Sequence, residues 1–379
     1  MGGSTLDVLW RLLGDIGITR SMVHPENVAQ AVGGLAAFLA VLGSLVHILR
    51  HLLWNHTKLL TCTVRILLVV PIFAVASFSS LLLETSPSVG VWQCLREVYE
   101  AVALANFMLL ILTVLGGPFH LKDRMLEEGA EPVYHLWPVR LVPGLQMPYS
   151  AGGDFVAHMI MGILQYIFFM VVVFLMKWVI LEVDGPSSFL NIVPNVVKSA
   201  SCAWALNCIV LFSHEVYHLL PRVNLVLKFM SIKGIVFFTF WQGIVINVLQ
   251  VTGLISVFLR YVAQEAEDFD INSDLWWSDF EVKSGINDFL LCCEMLIFCA
   301  MHWVAYPVRE FGDSSLMLHV TERSHVSPVS RLLTALHLRD MAQMYGQVTA
   351  LRAEVRPGSS WSWSSWSKET FRSGLSEPL

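Results

Sequence analysis

His214-Glu215-Val216-Tyr217-His218 spells the pattern in which two histidines four apart on a helix bind zinc and the glutamate between them acts as general base. A catalytic zinc needs a third protein ligand, no well-spaced downstream histidine or Asp-Gly follows within the next spans, and Pro221 ends the helix almost at once. A capped, solvated helix end explains the same residues. His214 and His218 are therefore weak metal candidates, a zinc metallohydrolase is the remote alternative, and the expectation is no metal, no cofactor and no catalytic residue.

A second set of residues suits a different chemistry. The stretch Lys228 to Gln250, KFMSIKGIVFFTFWQGIVINVLQ, sets two lysines at the mouth of an apolar run and Trp241, Gln242 and Asn247 inside it. At bilayer depth a polar side chain is costly unless it faces protein, water or a ligand, so such residues point to a site or a path. On a helix Lys233, Phe240 and Asn247 share a stripe with Gln242 nearly opposite. Two sides of this helix should then meet protein or a cavity rather than lipid. Arg65 near Pro71, Glu100 with Asn106, and Glu294 with Asn287 add ionic and amide groups to three further apolar runs. A carboxylate placed like Glu100 needs a cation, and Glu294, the deepest acid, is expected to pair with Lys233. Each group also has a plain reading, a bond between neighbouring helices.

The elements that must hold these residues are membrane helices. Of 379 residues 55% are apolar and 14% charged, and the mean hydropathy is +0.61, beyond the range of an ordinary soluble domain. Seven runs are long enough to span about 30 Å of hydrocarbon: Val28–Leu49, Thr63–Leu83, Val98–Leu115, Phe155–Leu181, Val196–Phe212, Lys233–Phe258 and Ile286–Tyr306. Pro71 should kink the second. Lys58, Arg65, Lys122, Arg124, Arg222 and Lys228 gather on one side, which the positive-inside rule makes cytoplasmic. The N-terminus is then outside or lumenal and the C-terminus inside. The loop AQEAEDFDINSDLWWSDFE fits the outer face and lacks the calcium-loop spacing. Asn55-His56-Thr57 is a glycosylation sequon on the predicted cytoplasmic side, so its glycosylation would invert this topology.

Three regions follow: an outside segment at 1–27, with Leu6–Ile16 suited to a short interfacial helix and no cleaved signal peptide expected; a seven-helix domain at 28–306; and a cytoplasmic tail at 307–379. In the tail, Leu332, Leu333, Leu336, Met344, Val348 and Leu351 suit a basic amphipathic helix over Ser330–Val355, for the leaflet or for a partner, before the low-complexity SSWSWSSWS. The seven cysteines show no disulfide framework or metal spacing, no basic aromatic patch suggests nucleic acid, and no GxxxxGK[ST] loop suggests ATP-driven pumping.

The pieces TVRILLVVPIFAVASFSSLLL, REVYEAVALANFMLLILTVLGG, GILQY, LKFMSIKGIVFFTFWQG and NDFLLCCEM cover most of Cys62 to His302. In that order they resemble the organic solute transporter alpha and transmembrane protein 184 family. The resemblance implies seven spans, transport of amphipathic organic anions such as steroid conjugates or bile salts, and in the transporter branch a small single-span partner. Other branches look like endomembrane, vacuolar or vesicle proteins. Family positions fall on Arg65, Pro71, Tyr99, Glu100, Asn106, Gly116, Gly117, Lys228, Lys233, Trp241, Gln242, Gly243 and Glu294. The chain departs from the pattern at Ala76, Phe78, Ile167 and Phe168, and has no cysteine-rich segment between Gly117 and Asp154.

The expectation is thus an all-α, seven-helix, multi-pass membrane protein of the plasma membrane or endomembrane, acting as a facilitative transporter of amphipathic organic anions. Arg65, Glu100, Asn106, Lys228, Lys233, Phe240, Trp241, Gln242, Asn247 and Glu294 are the candidate substrate-binding residues. Membrane lipids, a single-span subunit and a second copy are the candidate partners. The alternative is an endomembrane trafficking or membrane-organising scaffold without transport.

Overall fold

The structure is a computed structural model. It describes residues 25–83, 89–129, 132–135, 152–184, 192–220, 225–254, 279–311, 327–337 and 339–355, with single positions at 139, 149 and 190. These form eleven α-helices: α1 Pro25–Trp54, α2 Leu60–Leu67, α3 Val69–Leu82, α4 Val89–Val114, α5 Pro118–Glu127, α6 Gly153–Asp184, α7 Ile192–Val216, α8 Leu225–Val251, α9 Asp279–Ala305, α10 Pro328–Leu336 and α11 Arg339–Val355. An isolated β-bridge joins Val133 and Tyr149.

Among the described residues six helical stretches are long and apolar enough to cross a membrane: Asn27–Trp54, Leu60–Leu82, Gly90–Val114, Gly153–Ile180, Ile192–Leu219 and Ser284–Glu310. They coincide with predicted spans one to five and seven. The predicted sixth falls on α8, and its end at 255–258 lies outside the described residues. So do Leu6–Ile16, most of the acidic loop and SSWSWSSWS. Helix α4 begins nine residues before the predicted Val98, which brings Arg96 and Glu97 inside it.

Local chemistry explains the breaks. Pro71 has no amide to offer Leu67, and the second span is interrupted at Leu68, where α2 gives way to α3. Gly116 and Gly117 end α4 with φ of +85° and +98°, a conformation that side chains with a Cβ disfavour. The Gly117 amide reaches back to Leu112 O at 2.8 Å, and Pro118 opens α5. In the tail, extended Ser327 caps α10 by accepting from the Ser330 amide, with Pro328 at the first helical position.

The tail is two helices rather than the one expected over Ser330–Val355. The break at His337 divides the apolar stripe: Met344, Val348 and Leu351 of α11 are buried, whereas Leu333 and Leu336 of α10 are exposed. Helix α11 packs on α6 and α5.

The chain forms two compact units. The first takes Met1–Leu53, Ile66–Glu100 and Asn224–Val308, where α9 packs against α3 and α8. The second takes Trp54–Arg65, Ala101–Val223 and Arg309–Leu379 and is built on the α6–α7 pair. At that crossing Gly162 lets the helices approach: a Cβ there would overlap Cys208 Sγ and meet Trp204 Nε1 at 3.2 Å.

Candidate functional site

In the first unit, α8 carries Lys233 into the protein. Its Nζ donates to Glu100 Oε1 of α4 at 2.8 Å, with both side chains almost wholly buried. The partner is thus Glu100, where the sequence suggested Glu294. Glu294 sits on α9 with its Oε2 buried and without a hydrogen-bond partner. On another side of α8, Gln242 Nε2 donates to Asn287 O at 3.1 Å and Asn287 Oδ1 at 3.3 Å, while Gln242 Oε1 has no partner. Two sides of α8 therefore meet protein, as its pattern requires. Trp241 is half exposed and meets exposed Phe237 edge-on at 6.0 Å. The surroundings of the Phe240 and Asn247 side chains, and of Gly243, are not described.

Lys228 is 1% exposed and donates to the Ala305 carbonyl at 2.6 Å, with its Nζ 5.0 Å from the centre of the Tyr306 ring. His47 and His51, one turn apart on α1, both place Nε2 3.0 Å from Tyr306 O. A carbonyl only accepts, so both rings carry the proton on Nε2. Pro307 stops α9 here, and the side chains supply donors that its last carbonyls no longer find in the backbone. His302 Nε2 likewise donates to Ser231 O at 3.1 Å, leaving Nδ1 without a partner.

A further network in this unit lies around Arg96. Its Nη1 donates to Asp288 Oδ1 and Ser77 Oγ, each at 2.7 Å, and Ser80 Oγ donates to Asp288 Oδ2 at 2.5 Å. Sequence reading missed it because Arg96 precedes the predicted span start at Val98 and Asp288 lay unweighted between Asn287 and Phe289. The signal was present in the i, i+4 pair Arg96 and Glu100, opposite charges on one helical face.

In the second unit, Arg65 is 2% exposed. Its Nη1 donates to Asn106 Oδ1 at 3.1 Å, and Asn106 Nδ2 in turn donates to Val102 O at 2.7 Å. Nε donates to Ala335 O at 2.6 Å, Nη2 donates to His337 O, and Nη2 lies 3.3 Å from Asp340 Oδ2. The interruption of the tail helix follows from this: a continuous helix would offer Ala335 O to the Arg339 amide and His337 O to that of Met341, and the guanidinium takes both instead.

The second unit also buries His135. Asn207 Nδ2 donates to its Nδ1 at 3.0 Å, so Nε2 carries the proton and donates to Tyr149 Oη at 2.8 Å. Burial lowers the proton affinity of His135, aided by the nearby His158, and burial pushes the Tyr149 phenol up to about 12.

The zinc pattern does not assemble. His214 Nδ1 donates to its neighbour Glu215 at 3.1 Å, His218 Nε2 donates to Glu128 at 3.1 Å, and both rings are largely exposed. Among the described residues no group of three or more His, Cys, Asp or Glu is placed to hold a metal ion.

The profile of the family described as Organic solute transporter Ostalpha matches residues 29–311. Protein LAZ1 homolog 2 of Arabidopsis thaliana is 29% identical over 301 residues, covering 74% of this chain and 68% of that protein. Vacuole membrane protein HFL1 of Saccharomyces cerevisiae is 29% identical over 289 residues, covering 74% and 62%. A transmembrane protein 184 homolog of Dictyostelium discoideum is 27% identical over 294 residues, covering 75% and 53%. The chain thus spans roughly half to two thirds of the length of these curated relatives. No solved structure matches it.

Proposed function

Because this chain belongs to the organic solute transporter Ostalpha family, a family of multi-pass membrane proteins, we propose that it moves amphipathic organic anions, steroid conjugates or bile-salt-like solutes, down their gradient. One observation carries the reading: Lys233, Phe237 and Trp241 recur every fourth residue on α8, a buried cation followed by two exposed aromatic rings. Such a track matches a solute with one anionic end and a greasy body. Since Lys233 holds Glu100, the headgroup takes the place of that carboxylate when it binds. Lys228 and Arg65 are the other cations proposed for anionic headgroups, and Gln242 and Glu294, each with a buried unsatisfied oxygen, are proposed to line the path.

The proposal includes seven spans, with α8 as the sixth. Its 27 residues extend about 40 Å at 1.5 Å each, enough to cross. Basic residues near the span ends support an outside N-terminus and an inside C-terminus. We assign the protein to an endomembrane such as the vacuole, in keeping with the name of the yeast relative. A single-span subunit and a second copy remain the candidate partners.

The test is uptake of a labelled steroid sulfate into vesicles with and without the protein. Saturable uptake that Lys233→Ala diminishes supports the proposal. Flux equal to that of protein-free vesicles overturns it and leaves the membrane-organising scaffold.

A further inference from the structure

Three of the oxygens around Arg65 belong to the tail. Ala335 O, His337 O and Asp340 Oδ2 converge on its Nε and Nη2, while Asn106 holds Nη1 from α4. The tail bends to deliver them: His337 is extended, with φ −78° and ψ 120°, and the turn frees the two carbonyls that bond the guanidinium. Two carbonyls and a carboxylate on one guanidinium reproduce what a sulfate or carboxylate group would present to it. The segment is seated by Met344, Val348 and Leu351 of α11, in a helix that packs on α6 and α5. Its hold at the rim is looser, since Asp340 is 39% exposed.

We infer that the α10–α11 segment is an autoinhibitory plug whose Ala335, His337 and Asp340 oxygens occupy the anion position at Arg65, so that an amphipathic anion and the segment exclude each other there. The inference rests on the reading of Arg65 as an anion-binding group. As part of the same chain the segment acts at the high effective concentration of a tethered ligand, which closes the site until anion accumulates. Asp340 adds charge to the contact, and the exposed Val329, Leu333 and Leu336 of α10 give the displaced segment an apolar face to rest on the membrane.

The experiment uses the full chain in phosphatidylcholine vesicles and two readouts: amide hydrogen exchange over 328–353, and uptake of a labelled steroid sulfate. Adding the steroid sulfate should speed exchange in both tail helices, whereas the uncharged steroid alcohol of the same skeleton should not. Asp340→Asn removes one partly exposed ion pair and should lower the anion concentration needed by up to about fivefold. Asp340→Lys, which sets a like charge beside Arg65, should release the tail segment without anion and raise uptake at low solute. Tail exchange unmoved by saturating steroid sulfate overturns the inference, and if uptake is then normal the transport reading stands. An anion-driven opening with no uptake in any variant upholds the competition and removes transport. Opening by the uncharged alcohol to the same extent also overturns the inference.

Discussion

Arg96 and Glu100 stand one turn apart on α4, and each holds a charge from a different helix: Asp288 on α9 at 2.7 Å and Lys233 on α8 at 2.8 Å. The four groups alternate in sign, so their formal charges cancel. The two pairs differ in what surrounds them. Both oxygens of Asp288 are bonded, by Arg96 and Ser80, which makes that pair a fixed joint. Lys233 stands at the head of the Phe237 and Trp241 ridge, and the proposed exchange of partners with a solute is placed at its pair.

If Arg96 and Asp288 form a fixed joint, removing one partner should be far worse than removing both. Arg96→Ala leaves a buried carboxylate without its cation and should cost about 3–5 kcal/mol. The double variant Arg96→Met with Asp288→Leu should recover most of that loss. Chemical unfolding in detergent, run as a double-mutant cycle, measures the coupling.

The α6–α7 crossing should be equally specific. Gly162→Ala places a methyl against Cys208 and should destabilise the protein by about 1–3 kcal/mol, and Cys208→Ala in the same chain should relieve much of it. Thermal unfolding of the two single variants and the double variant checks this.

Acid should loosen the loop docked through His135. The folded state lowers the proton affinity of this histidine below its ordinary value near 6.5, so its contribution is complete above that pH and is lost as pH falls toward the folded value. Protection of the 133–135 amides, corrected for the intrinsic pH dependence of exchange, should therefore fall between about pH 7 and pH 5. His135→Gln should flatten the profile.

Asn55 should remain without glycan in cells. It is fully buried, and its Oδ1 accepts from both the amide and the hydroxyl of Thr57, at 3.0 and 2.7 Å. Treatment with a glycosidase specific for N-linked glycans should leave the mobility of the protein unchanged. A shift would place this segment outside and reverse the proposed topology.

Hydrophobic run length made the spans readable because a bilayer demands about 20 apolar residues in sequence. The depth of Lys233 and Arg65 was readable for the same reason: an ion inside such a run must find a partner. Which partner it finds depends on helix rotation and neighbour identity, and run length carries neither. Hence Glu100, not Glu294, was found at Lys233, and the Arg96–Asp288 pair went unnoticed near the span ends. The grip of the tail on Arg65 was hidden for another reason. It uses backbone carbonyls of Ala335 and His337, and no side-chain pattern announces a carbonyl. His47 and His51 were overlooked similarly, since what they bind is the carbonyl of Tyr306.

If Lys233 meets the anionic end of the solute by releasing Glu100, steroid sulfate uptake in vesicles should separate the parent, Lys233→Ala and the exchanged pair Glu100→Lys with Lys233→Glu. The parent should show saturable uptake, and Lys233→Ala a fall of at least about tenfold, the loss of ~1.4 kcal/mol of binding or more. The exchanged pair should fold as stably as the parent yet transport no better than Lys233→Ala, because the cation no longer heads the aromatic ridge of α8. Uptake by Lys233→Ala with the rate and half-saturation of the parent would remove Lys233 from solute binding.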